Sequence, residues 1–164
     1  MSLHVGGGTP PIARGPRSRV AVSGVLQLVT AAALLYSGYV HWHLRHDYDV
    51  NRTSVLSQAT VFVVQGGVCL VVAVVLVGVL AAGRSGGRGG PAVALSWVAA
   101  LLVAAGSLTA VLVNRYVDVG RIGPLPNRYE PAWYGLKSTS AVAEAIATLS
   151  SLGGLVLRTR DRVT

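Results

Sequence analysis

Charge is what the long stretches of this chain do without. No residue between Arg52 and Arg84 is charged, and the runs 20–40, 92–113 and 138–157 hold one acid between them, Glu144. A soluble domain of this length has room for one helix that is apolar on every side, not for four. At a rise of about 1.5 Å per residue each run crosses a hydrocarbon layer of about 30 Å. The alternation of an outer-membrane barrel is missing as well, and barrel segments are about half as long. The expectation is an all-α integral membrane protein, a compact antiparallel bundle of four transmembrane helices over 20–157. Its spans fall at about 20–40, 59–81, 92–113 and 138–157, and the uncharged flanks of the second leave room for it to run longer. The first span is too long for a usual signal core and is expected to stay in the protein.

Cysteine is almost absent. Cys69 alone excludes intramolecular disulfides, thiolate zinc clusters and iron-sulfur centres held by this chain. An isolated thiol in an apolar helix reads as a small packing residue. Histidine is missing from the span interiors: His4 precedes the first span, and His41, His43 and His46 crowd one helix end. The separated pair that clamps a haem from both faces is therefore lacking. There is no Walker motif, dinucleotide fingerprint, GxSxG elbow or paired metalloprotease histidine motif, so no catalytic motif is complete. No cofactor is expected; a bound quinone, lipid or transition metal has only slight support.

What charge there is sits asymmetrically. The chain has 14 Lys plus Arg against 6 Asp plus Glu, a formal net charge of +8. Arg14, Arg17, Arg19, Arg84, Arg88, Arg158, Arg160 and Arg162 fall on one side of a four-span topology, opposed only by Asp161. The other side is close to balance, with Arg45, Arg52, Arg115, Arg121, Arg128 and Lys137 against Asp47, Asp49, Asp118 and Glu130. The positive-inside rule then puts both termini in the cytoplasm of a plasma-membrane protein. A flexible cytoplasmic arm is expected over 1–19 and a basic cytoplasmic tail over 158–164. Anionic lipid headgroups, rather than nucleic acid, are the partners expected for these arginines.

The glycine-rich run 83–90 predicts a tight cytoplasmic hairpin with Pro91 in the next first turn, and Trp97 an anchor near the cytoplasmic headgroups. The outer connections are richer. All six tyrosines, with Trp42 and Trp133, fall near or beyond the outer boundary, as interfacial anchors or as the lining of a lipid-facing cleft. Pro124, Pro126 and Pro131 stiffen the second outer loop and favour a folded-over lid. Asn51-Arg52-Thr53 fits an N-glycosylation acceptor, a weak signal in three residues.

Glu144 should lie about 10 Å below the outer helix end, where a lone carboxyl is costly. Gln65, Ser107, Tyr36, Ser37 and Tyr39 reach similar depth, and an intramembrane polar site of Glu144, Gln65, Ser107, Tyr36 and Tyr39 is expected. Its plainest form is a structural network of neutral Glu144 with Gln65; a functional cavity and a partner contact are the alternatives. An outer cap is expected to hold His41, His43, His46, Arg115, Arg128 and Glu130. Among the histidines only His43 and His46 share an approximate helical face, which makes them weak metal candidates. If the second outer loop folds over, Arg115 or Arg128 would meet Glu144 or an anionic headgroup.

Small residues recur on several faces: Ala143, Ala147, Ser150, Ser151 and Gly154 in the fourth span, Gly66 and Gly67 in the second, and Ala100, Ala104 and Ala105 in the third. One bundle does not need so many, and a surplus face would suit a further subunit or a homo-oligomer. The leading expectation is thus a small accessory or scaffold subunit of a membrane complex. An oligomeric transporter or carrier of a small hydrophobic or weakly acidic ligand comes second, and a lipid- or quinone-modifying enzyme third.

Overall fold

The computed structural model describes residues 16–84 and 90–160. Four helices account for most of them: α1 (Pro16–Leu44), α2 (Gln58–Arg84), α3 (Pro91–Tyr116) and α4 (Gly135–Arg160). Most of the expected N-terminal arm, the centre of the glycine-rich hairpin and the end of the tail lie outside the described residues. Residues 16–19 form the first turn of α1. Each helix is long and apolar enough to cross a membrane. Among the described residues there is no strand, only isolated bridges pairing Arg52 with Ser57 and Ile122 with Leu125 in the loops.

Local chemistry sets the helix ends. Pro91 opens α3, where its missing N–H costs nothing, behind an extended Gly90. Ahead of α2, the Ser57 hydroxyl accepts the amide of Thr60 at 3.1 Å, satisfying an N-terminal donor. At the far end of α3 the chain turns extended at Val117, whose amide still donates to the Val113 carbonyl at 2.8 Å. The fourth helix begins three residues before the span expected for it, which takes Lys137 into its first turn.

The helices pack as a ring in chain order, with α1 against α2 and α4, and α3 against α4 and, more sparsely, α2. In lipid this packing comes from close fit and interhelical hydrogen bonds, because tails are as apolar as leucine. Gly38 and Gly66 bring α1 and α2 together: a Cβ on Gly66 would lie 3.0 Å from the Gly38 carbonyl oxygen. A Cβ on the adjacent Gly67 would meet nothing within 4 Å. Gly66→Leu should therefore lower stability by about 1–3 kcal/mol, while Gly67→Leu leaves it nearly unchanged. Unfolding in mixed micelles measures both, and equal losses would contradict the close approach.

Two expectations about packing are corrected. Trp97 is no interfacial anchor: it is 1 % exposed and its ring fills the space over Gly154. A glycine on α4 leaves the gap into which the indole of α3 fits. Nor is the small-residue face of α4 surplus, since Ala143, Ala147, Ser150, Ser151 and Gly154 are all buried within the single chain. Ala100 and Ala104 of α3 are buried with them.

Some interior polar groups pair across helices, since lipid offers them no partner. Gln27 of α1 donates to the Leu76 carbonyl of α2 at 2.9 Å, and the Thr30 and Ser150 hydroxyls meet at 2.7 Å between α1 and α4.

Candidate functional site

The two loops that follow α1 and α3 close over one end of the bundle by bonding to each other. The Asn51 side-chain amide donates to the Asn127 carbonyl at 2.7 Å, and the Thr53 hydroxyl to the Pro124 carbonyl at 2.7 Å. The Tyr48 and Tyr134 hydroxyls meet at 2.8 Å, and the Glu130 amide donates to the Asn114 carbonyl at the end of α3 at 2.8 Å. Gly120 and Gly123 take positive φ (65° and 55°), which turns the second loop tightly. In this cap the Asn51 amide nitrogen, the atom a glycan would need, is bonded to Gln58 as well as Asn127.

Lys137 fastens the cap from below. It is 8 % exposed, and its ammonium donates to the main-chain carbonyls of Glu130 and of Ala132, the latter at 3.2 Å. Carbonyl dipoles, not a touching carboxylate, hold this charge. Arg115 stacks instead over Tyr116 and Trp133, 5.0 and 5.9 Å from the ring centres. Neither Arg115 nor Arg128 reaches Glu144, whose carboxyl is bonded to serines alone.

Beneath the cap lies a partly open cavity of about 140 Å³. All four helices contribute to its wall: His41 from α1; Gln58, Phe62 and Gln65 from α2; Ser107 and Asn114 from α3; Lys137 and Ser140 from α4. Tyr48, Arg128, Glu130 and Tyr134 come from the loops, while Val40, Leu44, Val61, Ala110 and Val111 supply much of the apolar lining. The His41 ring is fixed by donation from Nδ1 to the Ser37 carbonyl at 2.8 Å and by the edge of Phe62, 5.3 Å between centroids. Burial is the main cause that pushes the Tyr48 and Tyr134 phenols above their ordinary range, so both stay neutral hydroxyls.

Glu144 is fully buried one turn below. Its Oε1 accepts from Ser37 at 2.8 Å and from Ser140 at 3.2 Å, while Oε2 has no hydrogen-bond partner among the described residues. Ser140 also lines the cavity, so one hydroxyl separates the carboxyl from it. The expected polar layer has two parts that meet at the Cys69 thiol, which pairs with Gln65 and with Ser37. Gln65 bonds Ser107, and Cys69 at 3.6 Å, and makes no bond to Glu144. Helix rotation decides this: Ser37 of α1 and Ser140 of α4 point at the carboxyl, whereas Gln65 turns across the α2–α3 seam.

Tyr36 and Tyr39 do not join either group. Tyr36 donates to the Thr139 hydroxyl at 2.9 Å on the bundle surface, and Tyr39, 58 % exposed, lies between the rings of Tyr36 and His43. His43 and His46 are exposed, and no group of three or more metal-ligating side chains forms among the described residues. Of the expected cap residues, His41, Arg128 and Glu130 come together in the cavity wall. Sequence reasoning missed Tyr48, Gln58, Asn114, Tyr134 and Lys137. A usable signal existed for Lys137, which precedes Ser140 and Glu144 by three and seven residues and so shares their helical face.

Fold and site together define a small multi-spanning membrane protein with a capped cavity at one end of its bundle. No protein-family model, curated protein or solved structure matches the chain.

Proposed function

We propose that the chain is a membrane-embedded binding protein or carrier for a small amphipathic ligand, which it holds in the capped cavity. The observation that carries this is the cavity itself: an apolar pocket with polar groups gathered at the cap, on the scale of a small molecule. Its position favours entry from the lipid. Gly106 lines the wall yet is exposed, and α2 and α3 make the sparsest contact of the neighbouring helices, which supports an opening along that seam. The arginine asymmetry supports a cytoplasmic location for both termini in a plasma membrane, with the cap outside. An accessory-subunit role has less support than its sequence suggested, because the small-residue face of α4 is spent inside the monomer.

Gly106 provides the test, since it lines the cavity wall and a Cβ there meets nothing within 4 Å, so Gly106→Phe adds bulk at the wall without a clash at Cβ. Native mass spectrometry of the full chain from mild detergent should find one bound amphiphile per chain, and Gly106→Phe should remove it. An adduct that survives this substitution, or no adduct at all, contradicts the proposal. A stoichiometric protein partner with no adduct would restore the accessory-subunit role to first place.

A further inference from the structure

We infer that the cavity selects single-tailed amphiphiles with a monoanionic head, gripped between Lys137 and Arg128. This rests on the binding role proposed above and adds the chemistry of its ligand. Three charged residues line the space, Lys137, Arg128 and Glu130, which leaves one positive charge in excess. The ammonium of Lys137 uses two of its three donors on loop carbonyls, and the guanidinium of half-buried Arg128 is bonded to nothing among the described residues. Glu130 carries one charge against two, and its carboxylate also accepts from the Ala132 amide at 3.4 Å and the Tyr48 hydroxyl at 3.5 Å.

The neutral groups offer both kinds of partner, since His41 donates from Nδ1 and Gln65 from Nε2, which leaves each with an unused acceptor. Gln58 commits its carbonyl oxygen to Asn51 at 2.6 Å and keeps its Nε2 unengaged, and the Asn114 side chain makes no hydrogen bond among the described residues. Tyr134 donates to Tyr48, which donates in turn to Glu130, so both hydroxyl protons are used within the wall. The N–H groups of the Arg128 guanidinium tip the balance towards unused donors at the cap, where an anion would lie partly out of water and gain most from them. A cationic or purely neutral head would leave those donors unmet, at the cost of their desolvation.

Size limits the length of tail that the cavity can enclose. An apolar void of about 150 Å³ encloses one benzene, so about 140 Å³ admits a carboxylate-sized head and its first few methylenes. A two-chain phospholipid does not fit. One tail would leave through the seam beside Gly106 into the surrounding acyl chains.

The test uses the full chain in phosphatidylcholine nanodiscs, with empty nanodiscs as background, and the probes dodecanoate, dodecanol and acetate. Dodecanoate should saturate at one per chain, dodecanol should bind at least about tenfold more weakly, and acetate should not displace dodecanoate. Lys137→Met and Arg128→Gln should each weaken dodecanoate at least about tenfold and narrow its preference over dodecanol. Arg121→Gln, an exposed charge on the same loop outside the cavity wall, should change neither. Because Lys137 also fastens the cap, Arg128→Gln decides the matter if Lys137→Met fails to fold. Equal binding of acid and alcohol, displacement by acetate, or an indifferent Arg128→Gln each overturns anion selection. Gly106→Phe separates the two levels. Loss of both amphiphiles in that variant, with no acid preference in the parent chain, leaves the cavity role standing and removes only its chemistry; retention of both removes the cavity role as well.

Discussion

Gly154→Ala is expected to loosen the bundle more than any other exchange of one glycine for alanine. A Cβ at this position would lie 2.5 Å from Cζ2 of Trp97 and 2.6 Å from Cε2 and Cη2, closer than packed carbons approach. The indole is fully enclosed and cannot swing aside, so α3 and α4 must separate. Overpacking of this kind costs about 1–3 kcal/mol, and a clash with a rigid ring belongs at the upper end. Gly153→Ala is the matched control, since its Cβ would make an ordinary 3.4 Å contact with the flexible end of Leu26. Unfolding in mixed micelles should show the loss at 154 and little change at 153. A partner substitution sharpens the test: Trp97→Leu should recover part of the Gly154→Ala loss, because the two residues occupy one space. Strict additivity would mean that the clash is not what destabilises the variant.

The second large effect is expected at Glu144. Glu144→Ala removes the acceptor shared by Ser37 and Ser140 and leaves a void in a site with no exposure. The missing side-chain volume and lost hydrogen bonds together should cost about 2–4 kcal/mol. Glu144→Gln keeps an oxygen for both serines and places an amide where Oε2 has no partner. That variant should fold with a loss of at most about 1 kcal/mol. Ligand binding then separates structure from chemistry. If Glu144→Gln folds and still binds, the carboxyl is a packing and hydrogen-bonding group; if it folds and binding or flux is lost, the exchangeable proton is required. Collapse of the glutamine variant would contradict the two-serine geometry.

These effects bear on how the chain reads before it is folded. The membrane character was legible because absence of charge over about 20 residues has few other causes. Glu144 was legible as a focus for the same reason, since a carboxyl at that depth demands partners. Its actual partners were not. Gln65 and Ser37 lie at similar depth, and depth follows from counting residues, but which of them faces Glu144 depends on how each helix is rotated about its axis. Trp97 illustrates the same limit: its place near one end of α3 suits an interfacial anchor, and only the missing side chain at Gly154 draws it inward. Lys137 counted as a loop charge until α4 began three residues early and carried it onto the buried face.

The amino-acid order by itself determined that four helices cross a membrane, which end gathers the arginines, and that one acid lies among apolar neighbours. Those properties are local: hydrophobic length and charge placement act on each segment without reference to the others. Tertiary structure decided that serines, not Gln65, bond Glu144, that the small-residue face of α4 is consumed within the chain, and that two loops roof a cavity lined by Lys137 and Arg128. Such features depend on helix rotation and loop contacts across about 70 to 90 positions of sequence. They are set by mutual fit, because in lipid close contact and paired hydrogen bonds, not burial from water, choose which faces meet.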